Sequence, residues 1–221
     1  MTVAKIPAVI AIDGPAASGK GTLARRLAKH FGYAYLESGR LYRAVAAKAL
    51  DSGIEPSHED AAAQIAQNLV ANDFEHPKLF DDATTRAASV VAAHGRVRAA
   101  LLAFQRDFAA HPPGGALGVV IDGRDIGNHV CPAAPHKFYL TASPEIRAQR
   151  RVAQLQDQGH EAIYHRVLAD IQDRDRQDET RHHSPLARAH DAHLLDSSAL
   201  DADQVFAKAL ALISADPKPA D

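Results

Sequence analysis

Two periods of apolar residues alternate along this chain. Ala8-Val9-Ile10-Ala11-Ile12, closed by Asp13, and Leu117-Gly118-Val119-Val120-Ile121-Asp122 are continuous apolar runs, the pattern of strands buried on both faces. Tyr33-Ala34-Tyr35-Leu36, Lys137-Phe138-Tyr139-Leu140-Thr141 and His193-Leu194-Leu195-Asp196 predict three further short strands. Between these runs the spacing is helical. Leu23, Leu27 and Phe31 line one face before Gly32 stops the helix, and Leu41, Val45 and Leu50 mark a second helix over residues 40–50, closed by Gly53. Ser57-His58-Glu59-Asp60 reads as a capping box that opens a helix to about Asn68, with Ile65 and Leu69 inward. Helical pattern returns from about Thr85 to Ala110, with a break near Gly95. Ser143 and Pro144 begin another helix that reaches about Gln158 and is stopped by Gly159. An arginine-rich helix over about Glu161 to Asp178 and a last one from Asp201 to about Ile213 follow.

Some stretches carry no period. Residues 72–85 are polar and broken by Pro77, so they read as a loop or one poor hairpin, and His111-Pro112-Pro113-Gly114-Gly115 is a loop. Asp216 to Pro219 reads as a frayed tail. Strands alternating with helices predict an α/β fold: one domain over residues 1–221, with a parallel five-stranded sheet flanked by helices.

The turn after the first strand carries the first chemistry. Gly14-Pro15-Ala16-Ala17-Ser18-Gly19-Lys20-Gly21-Thr22 stands between a predicted strand and a predicted helix, the context that a phosphate-binding loop requires. Its glycines let successive amide N–H groups point into one concavity, and the following helix adds its N-terminal N–H groups and dipole. Lys20 then reaches the outer phosphates as a point charge. Gly21 separates the lysine from Thr22, an ending similar to nucleoside monophosphate kinases rather than to GTPases.

Composition narrows the setting. A formal net charge of −2 with 24% charged residues gives no reason to expect binding to a nucleic acid polymer or an acidic membrane. No apolar run approaches a membrane span, and residues 1–7 do not read as a signal peptide. A single cysteine, Cys131, leaves no internal disulfide and fits a reducing, cytoplasmic location. The 13 histidines are scattered; the pair His182-His183 diverges on any regular element, and no ligand shell for a metal is completed around them.

Six stretches in order carry a resemblance. They are the phosphate loop, Glu37-Ser38-Gly39-Arg40-Leu41-Tyr42-Arg43, Ala88-Ser89 with Arg96-Val97-Arg98, Asp122-Gly123-Arg124-Asp125-Ile126-Gly127, Arg150-Arg151 with Arg174-Asp175, Asp178 and Arg181, and Asp196-Ser197-Ser198. Together they resemble the bacterial cytidylate kinase family of phosphate-loop (P-loop) kinases. The resemblance implies a P-loop kinase fold with a reduced lobe for the acceptor nucleotide (about 57–110) and an arginine-rich lid (about 150–181). It implies a monomer that transfers the γ-phosphoryl of ATP to CMP and dCMP. Gly14 to Thr22 would hold the donor phosphates. Arg43, Arg124 and Arg181 would hold the acceptor phosphate, and Arg151 and Arg174 would close over the transferring group, with Arg174 also near the acceptor. Ser38 and Asp178 would meet the acceptor's sugar and its surroundings. Ser89, Arg98 and Asp125 would read the cytosine edge. Mg²⁺ would be held mainly through ATP and water, with help from Thr22. No general base is needed, because the attacking phosphate oxygen is already anionic.

Other readings stay open on the residues alone. The acceptor is CMP, or another nucleoside monophosphate such as UMP; or the chain is a catalytically silent nucleotide-binding regulator. Asp122 either orients its loop or touches metal. Arg147 and Arg166 lie either on a solvated helix face or in the catalytic machinery, and Asp175 fixes a neighbouring arginine. Against the family pattern, residues 73–86 are short, 108–118 are long, Glu37 stands for an aspartate and Arg40 for a small residue.

Overall fold

The computed structural model describes residues 8–157 and 159–215. The segment 1–7, the end of the predicted helix at Gln158 and the tail at 216–219 lie outside these residues. All five predicted strands form, as β1 (Ala8–Asp13), β2 (Ala34–Glu37), β3 (Gly118–Gly123), β4 (His136–Thr141) and β5 (His193–Asp196). They make one sheet in the order β2-β3-β1-β4-β5, every pair parallel. β1 is therefore central, with Ala11 beside Ile121 of β3 and Lys137 of β4.

Period-two alternation divides the sheet's two faces. Ile10, Ile12, Val120, Phe138 and Leu140 pack against Leu23 and Leu27 of α1 (Lys20–Phe31) and against Val205 and Ala209 of α8 (Ala202–Ala215). Ala11, Val119 and Ile121 face the other way, onto Ala109 of α5 (Gly95–Ala110) and onto the short π-type turn Ile126–Val130. Gly32 caps α1 with φ 65° and its N–H on the Ala28 carbonyl, as the sequence predicts.

A second core holds no strand. Leu41 and Val45 of α2 (Ser38–Asp51), Ala62 and Ala66 of α3 (Glu59–Gln67), Ala87 and Val91 of α4 (Asp82–Val91), and Val97 and Leu101 of α5 pack together. Three expectations are corrected here. The helix-opening capping box is absent: α3 is capped at His58 without a side-chain bond, and Glu59 instead accepts the Arg96 backbone N–H at 2.9 Å. Its buried face is Ala62, Ala63 and Ala66, whereas Ile65 and Leu69 are only half-buried beside the core. Residues 72–85 form neither a plain loop nor a hairpin. They make a 3₁₀ turn, Ala71–Glu75, and then α4, which begins at Asp82 rather than near Thr85.

α6 (Pro144–Asp157) and α7 (Tyr164–Thr180) form an antiparallel pair beyond β4. Gly159, at φ 79°, lies in the turn between them. Arg147 of α6 and Arg174 of α7 lie at the carboxyl edge of the sheet, where β1 and β3 also end. Open parallel sheets place ligands at that edge. Among the described residues, no single helix is long and apolar enough to cross a membrane.

Candidate active site

The loop leaving β1 is constrained by its neighbour β4. Gly14 has φ 146°, and a Cβ there would lie 2.0 Å from the Leu140 carbonyl oxygen, so no other residue fits. Lys20, the first residue of α1, folds back over the loop and donates from Nζ to the Pro15 carbonyl at 2.6 Å. Burial pushes its pKa well below the usual lysine range and the Arg124 charge adds to this, against the pull of Asp122, Asp178 and Asp13. Thr22 is exposed on the first turn of α1.

Beside the loop lies a cavity. Its walls include Lys20 and all nine residues expected to hold the acceptor: Ser38 and Arg43 from α2, Ser89 from α4, Arg98 from α5, Arg124 and Asp125 after β3, and Arg174, Asp178 and Arg181 on or just after α7. Residues more than 140 positions apart thus meet at one point. Gly123 makes room for this packing, since a Cβ on it would lie 2.5 Å from the Ser38 hydroxyl.

Carboxylates hold most of these arginines in place. Arg98 donates to Asp125 Oδ2 at 2.5 Å, and Arg124 Nε donates to Asp178 Oδ2 at 2.6 Å. Arg43 donates to Glu37 at 2.7 Å. Arg181 lies 3.9 Å from Asp125 and 3.6 Å from Asp178, and its Nε donates to the Ser184 carbonyl at 2.6 Å. Burial disfavours the charge of Arg124, but Asp178 and Asp122 outweigh it and raise its pKa. Burial likewise works against the Asp178 carboxylate, yet Arg124 holds it below the usual range. For Arg174 the nearby Asp178 does not offset the opposing effects. Burial, then Arg124, pushes it down to about 10.

Four guanidinium nitrogens around this cavity are buried without a hydrogen-bond partner: Nε of Arg43, Arg98 and Arg174, and one terminal nitrogen of Arg181. Buried donors left unpaired are costly. The four arginines that carry them line one cavity, an arrangement suited to anionic oxygens, which arginine grips in a planar fork. Arg96, two residues before Arg98, instead points outward and pairs with Asp60.

Not every predicted residue reaches the cavity. Arg151 is half-buried on α6, where it donates to Gln154 at 3.0 Å. Its neighbour Arg150 turns away to the Ser197 and Leu200 carbonyls at 2.6 and 3.2 Å, fixing the loop after β5. Ser197 in turn lies against the phosphate loop, with its hydroxyl 3.4 Å from the Ser18 carbonyl.

Three residues outside the expected set organise the site. Asp13 ends β1, and its two oxygens accept the Ile126 and Gly127 N–H groups, both at 2.8 Å. One carboxylate thereby ties the root of the phosphate loop to the turn that carries Arg124 and Asp125. Burial raises its pKa to about 6. Arg147 is not on a solvated face: its side chain is 4% exposed, bonded to the carbonyls of Ala142 and Ala16 and to both oxygens of Asp175. Arg166 is exposed, as a solvated face requires. Asp122, at the end of β3, accepts from Tyr35 at 3.4 Å, and burial raises its carboxyl to about 6 despite the Lys20 charge. His182 and His183, expected to diverge, meet edge to face with ring centroids 4.8 Å apart. Cys131 is half-buried, and burial pushes its thiol up to about 11, away from nucleophilic use.

A parallel sheet with a glycine loop on its central strand, a buried lysine and a cavity of convergent arginines together define a P-loop kinase. The model of the cytidylate kinase family matches residues 10–215, and the chain belongs to that family. A cytidylate kinase of Paramagnetospirillum magneticum is 53% identical over 205 residues, covering 93% of this chain and 97% of its own. One from Xanthobacter autotrophicus is 53% identical over 207 residues, covering 94% and 97%. Among solved structures, an uncharacterized protein from Eubacterium ventriosum aligns over 94% of this chain and 99% of its own. It has a TM-score of 0.54 at 13% identity, a likeness of fold alone.

Proposed function

We propose that this protein transfers the γ-phosphoryl group of ATP to CMP and dCMP, yielding CDP and dCDP, as a cytoplasmic monomer. The observation that carries the reading is the set of four unpaired, buried arginine nitrogens beside Lys20, which suits a site where two polyanions meet. Such a transfer needs positioning and charge neutralisation more than covalent chemistry.

In this reading Gly14 to Thr22 hold the donor phosphates and Lys20 leaves the Pro15 carbonyl to reach them. Arg43, Arg124 and Arg181 bind the acceptor phosphate, while Ser38 and Asp178 contact its sugar. Arg174, already lining the cavity, and Arg151, outside it on α6, approach the transferring group as α6 and α7 close as a lid. Residues 57–110 form the acceptor lobe. Closure excludes water and so protects ATP from hydrolysis. Ser89 and the Arg98–Asp125 pair offer one carboxylate acceptor and several N–H donors, which match the amino and carbonyl groups of cytosine.

Mg²⁺ fits the residues present. The Thr22 hydroxyl and the Asp122 carboxyl supply hard oxygen donors, too few for a protein cage and enough to assist an ion held by phosphates and water. When bound, it neutralises charge on the donor phosphates. Asp122 also has a positioning role, since it receives Tyr35 and faces Lys20.

A panel of acceptors in a coupled ADP-release assay tests the proposal. CMP and dCMP are expected to be the best substrates, with UMP and AMP weaker. If UMP leads, the base assignment is wrong. ATP binding without acceptor-dependent ADP release points instead to a silent regulator.

A further inference from the structure

The segment that stands between α3 and α4 is fastened along the length of α2. Lys48 Nζ meets Asp73 at 2.8 Å, and Asp51 bonds Nε2 of His76 at 2.8 Å and Nζ of Lys78 at 3.0 Å. Arg40 Nε donates to the Phe74 carbonyl at 2.7 Å, and its NH2 meets Glu75 at 3.2 Å. Leu79 anchors the far end and is 1% exposed. The next residue, Phe80, is a large apolar side chain left 55% exposed.

Its ring lies where two guanidinium groups gather. The Arg43 Cζ is 5.0 Å from the Phe80 ring centroid and that of Arg40 is 5.9 Å. Both are within cation–π range. Arg43 is thus held twice, by Glu37 at NH1 and by the aromatic ring, while its buried Nε stays unpaired where the side chain lines the cavity. Of the departures from the family pattern, Glu37 and the segment 73–86, through Phe80, both hold Arg43, while Arg40 lies against the same ring and fastens the segment.

We propose that Phe80 is a positioning residue for the acceptor, its ring holding the Arg43 guanidinium against the cavity wall. Residues 71–81 act as a strap that delivers the ring. A long side chain immobilised before binding loses less rotamer freedom when the ligand arrives, so the benefit falls on acceptor affinity. Polarity explains the choice of residue: an aliphatic side chain would fill the same space without a π face to attract the cation. The inference rests on the reading that Arg43 contacts the acceptor phosphate.

Steady-state kinetics of Phe80→Ala, Phe80→Leu, Phe80→Tyr, Arg43→Ala and the Arg43→Ala/Phe80→Ala pair test it, with Tm measured alongside. Phe80→Ala is expected to raise KM for CMP roughly fivefold. Its kcat and its KM for ATP should stay close to those of the parent. Phe80→Leu should behave like the alanine variant, and Phe80→Tyr like the parent. In the Arg43→Ala background, loss of the ring should add nothing. A leucine variant with parental KM, or effects of the two alanine substitutions that multiply in full, overturns the proposal. If Arg43→Ala raises KM for CMP and Phe80→Ala does not, the inference alone falls. If Arg43→Ala leaves KM for CMP unchanged, the acceptor reading itself fails and takes the inference with it.

Discussion

Arg147 of α6 and Asp175 of α7 are joined through both guanidinium ends and both carboxylate oxygens, at 3.1 and 2.6 Å. The same guanidinium donates to the Ala16 carbonyl of the phosphate loop at 3.0 Å. Asp175 is next in sequence to Arg174. One buried arginine therefore connects the loop after β1, α6 and α7.

That connection predicts what Arg147→Ala does. Removing one partner of a buried, bidentate pair leaves Asp175 uncompensated and is expected to destabilise the fold by about 3–5 kcal/mol. Arg147→Lys keeps a charge without the fork and should recover only part of this. Urea denaturation measures the loss. Asp175→Asn, a milder change, should lower kcat more than KM for CMP, because the Asp175–Arg147 pair holds α7, which carries Arg174, against the phosphate loop. A variant with normal kcat and normal stability would remove the link.

How much of this was legible before the structure depends on the kind of signal. The central strands β1 and β3 announce themselves because burial on both faces demands unbroken apolar runs, as in Val119-Val120-Ile121, while the half-buried β2, β4 and β5 show only short apolar runs. The cavity residues were legible through motif order, and the structure brings all nine together. Asp13 and Arg147 were not, since an acid ending a strand and an arginine on a polar helix look solvated until tertiary packing buries them. Residues 72–85 failed for another reason. Their order comes from ion pairs to α2, such as Lys48 with Asp73, and such contacts leave no periodic trace.

The Arg98–Asp125 pair carries the prediction for base choice. In the proposed complex the Asp125 carboxylate accepts from the cytosine amino group, which uracil lacks. Asp125→Asn replaces part of that acceptor with a donor and weakens the hold on Arg98. The preference for CMP over UMP, read as a ratio of kcat/KM values, should shrink by roughly 10- to 100-fold, in line with about 1–3 kcal/mol for a lost base contact. An unchanged ratio would take Asp125 out of the readout.

Asp122 yields a pH prediction. Its carboxyl is raised by burial from 3.8 to about 6, so the native state favours the protonated form. The stabilisation is complete below pH 3.8 and is lost as pH rises through about 6, which makes the ionised carboxylate a cost at pH 8. Asp122→Asn is neutral throughout. Its stability relative to the parent should therefore grow by about 1–3 kcal/mol between pH 5 and pH 8. Carboxylates held low, such as Asp178, do not contribute to this change, because they titrate below the window. Denaturation curves of both proteins at the two pH values decide the matter; an equal gap at both would show that Asp122 ionises normally.

Lys20 sets function against stability most directly. Burial and the Arg124 charge lower its pKa, so the native state disfavours its proton even with Asp122, Asp178 and Asp13 nearby. A lysine held low contributes least where it is charged in both states and more as pH rises from its depressed native value toward 10.5, where the unfolded chain also releases its proton. Lys20→Met removes the buried charge and keeps the length of the stem. At pH 7 the variant should be at least as resistant to urea as the parent, while turnover with CMP falls by about 100- to 1,000-fold, the scale for losing one transition-state contact. Its KM for CMP should change little, because the cations around the acceptor remain. The rise in parental stability with alkaline pH should be missing from the variant. A Lys20→Met protein that turned over normally would mean that the donor phosphates are held by the loop backbone alone. One that unfolded readily at pH 7 would mean that the lysine is needed for the fold, as the partner of the carboxylates around it.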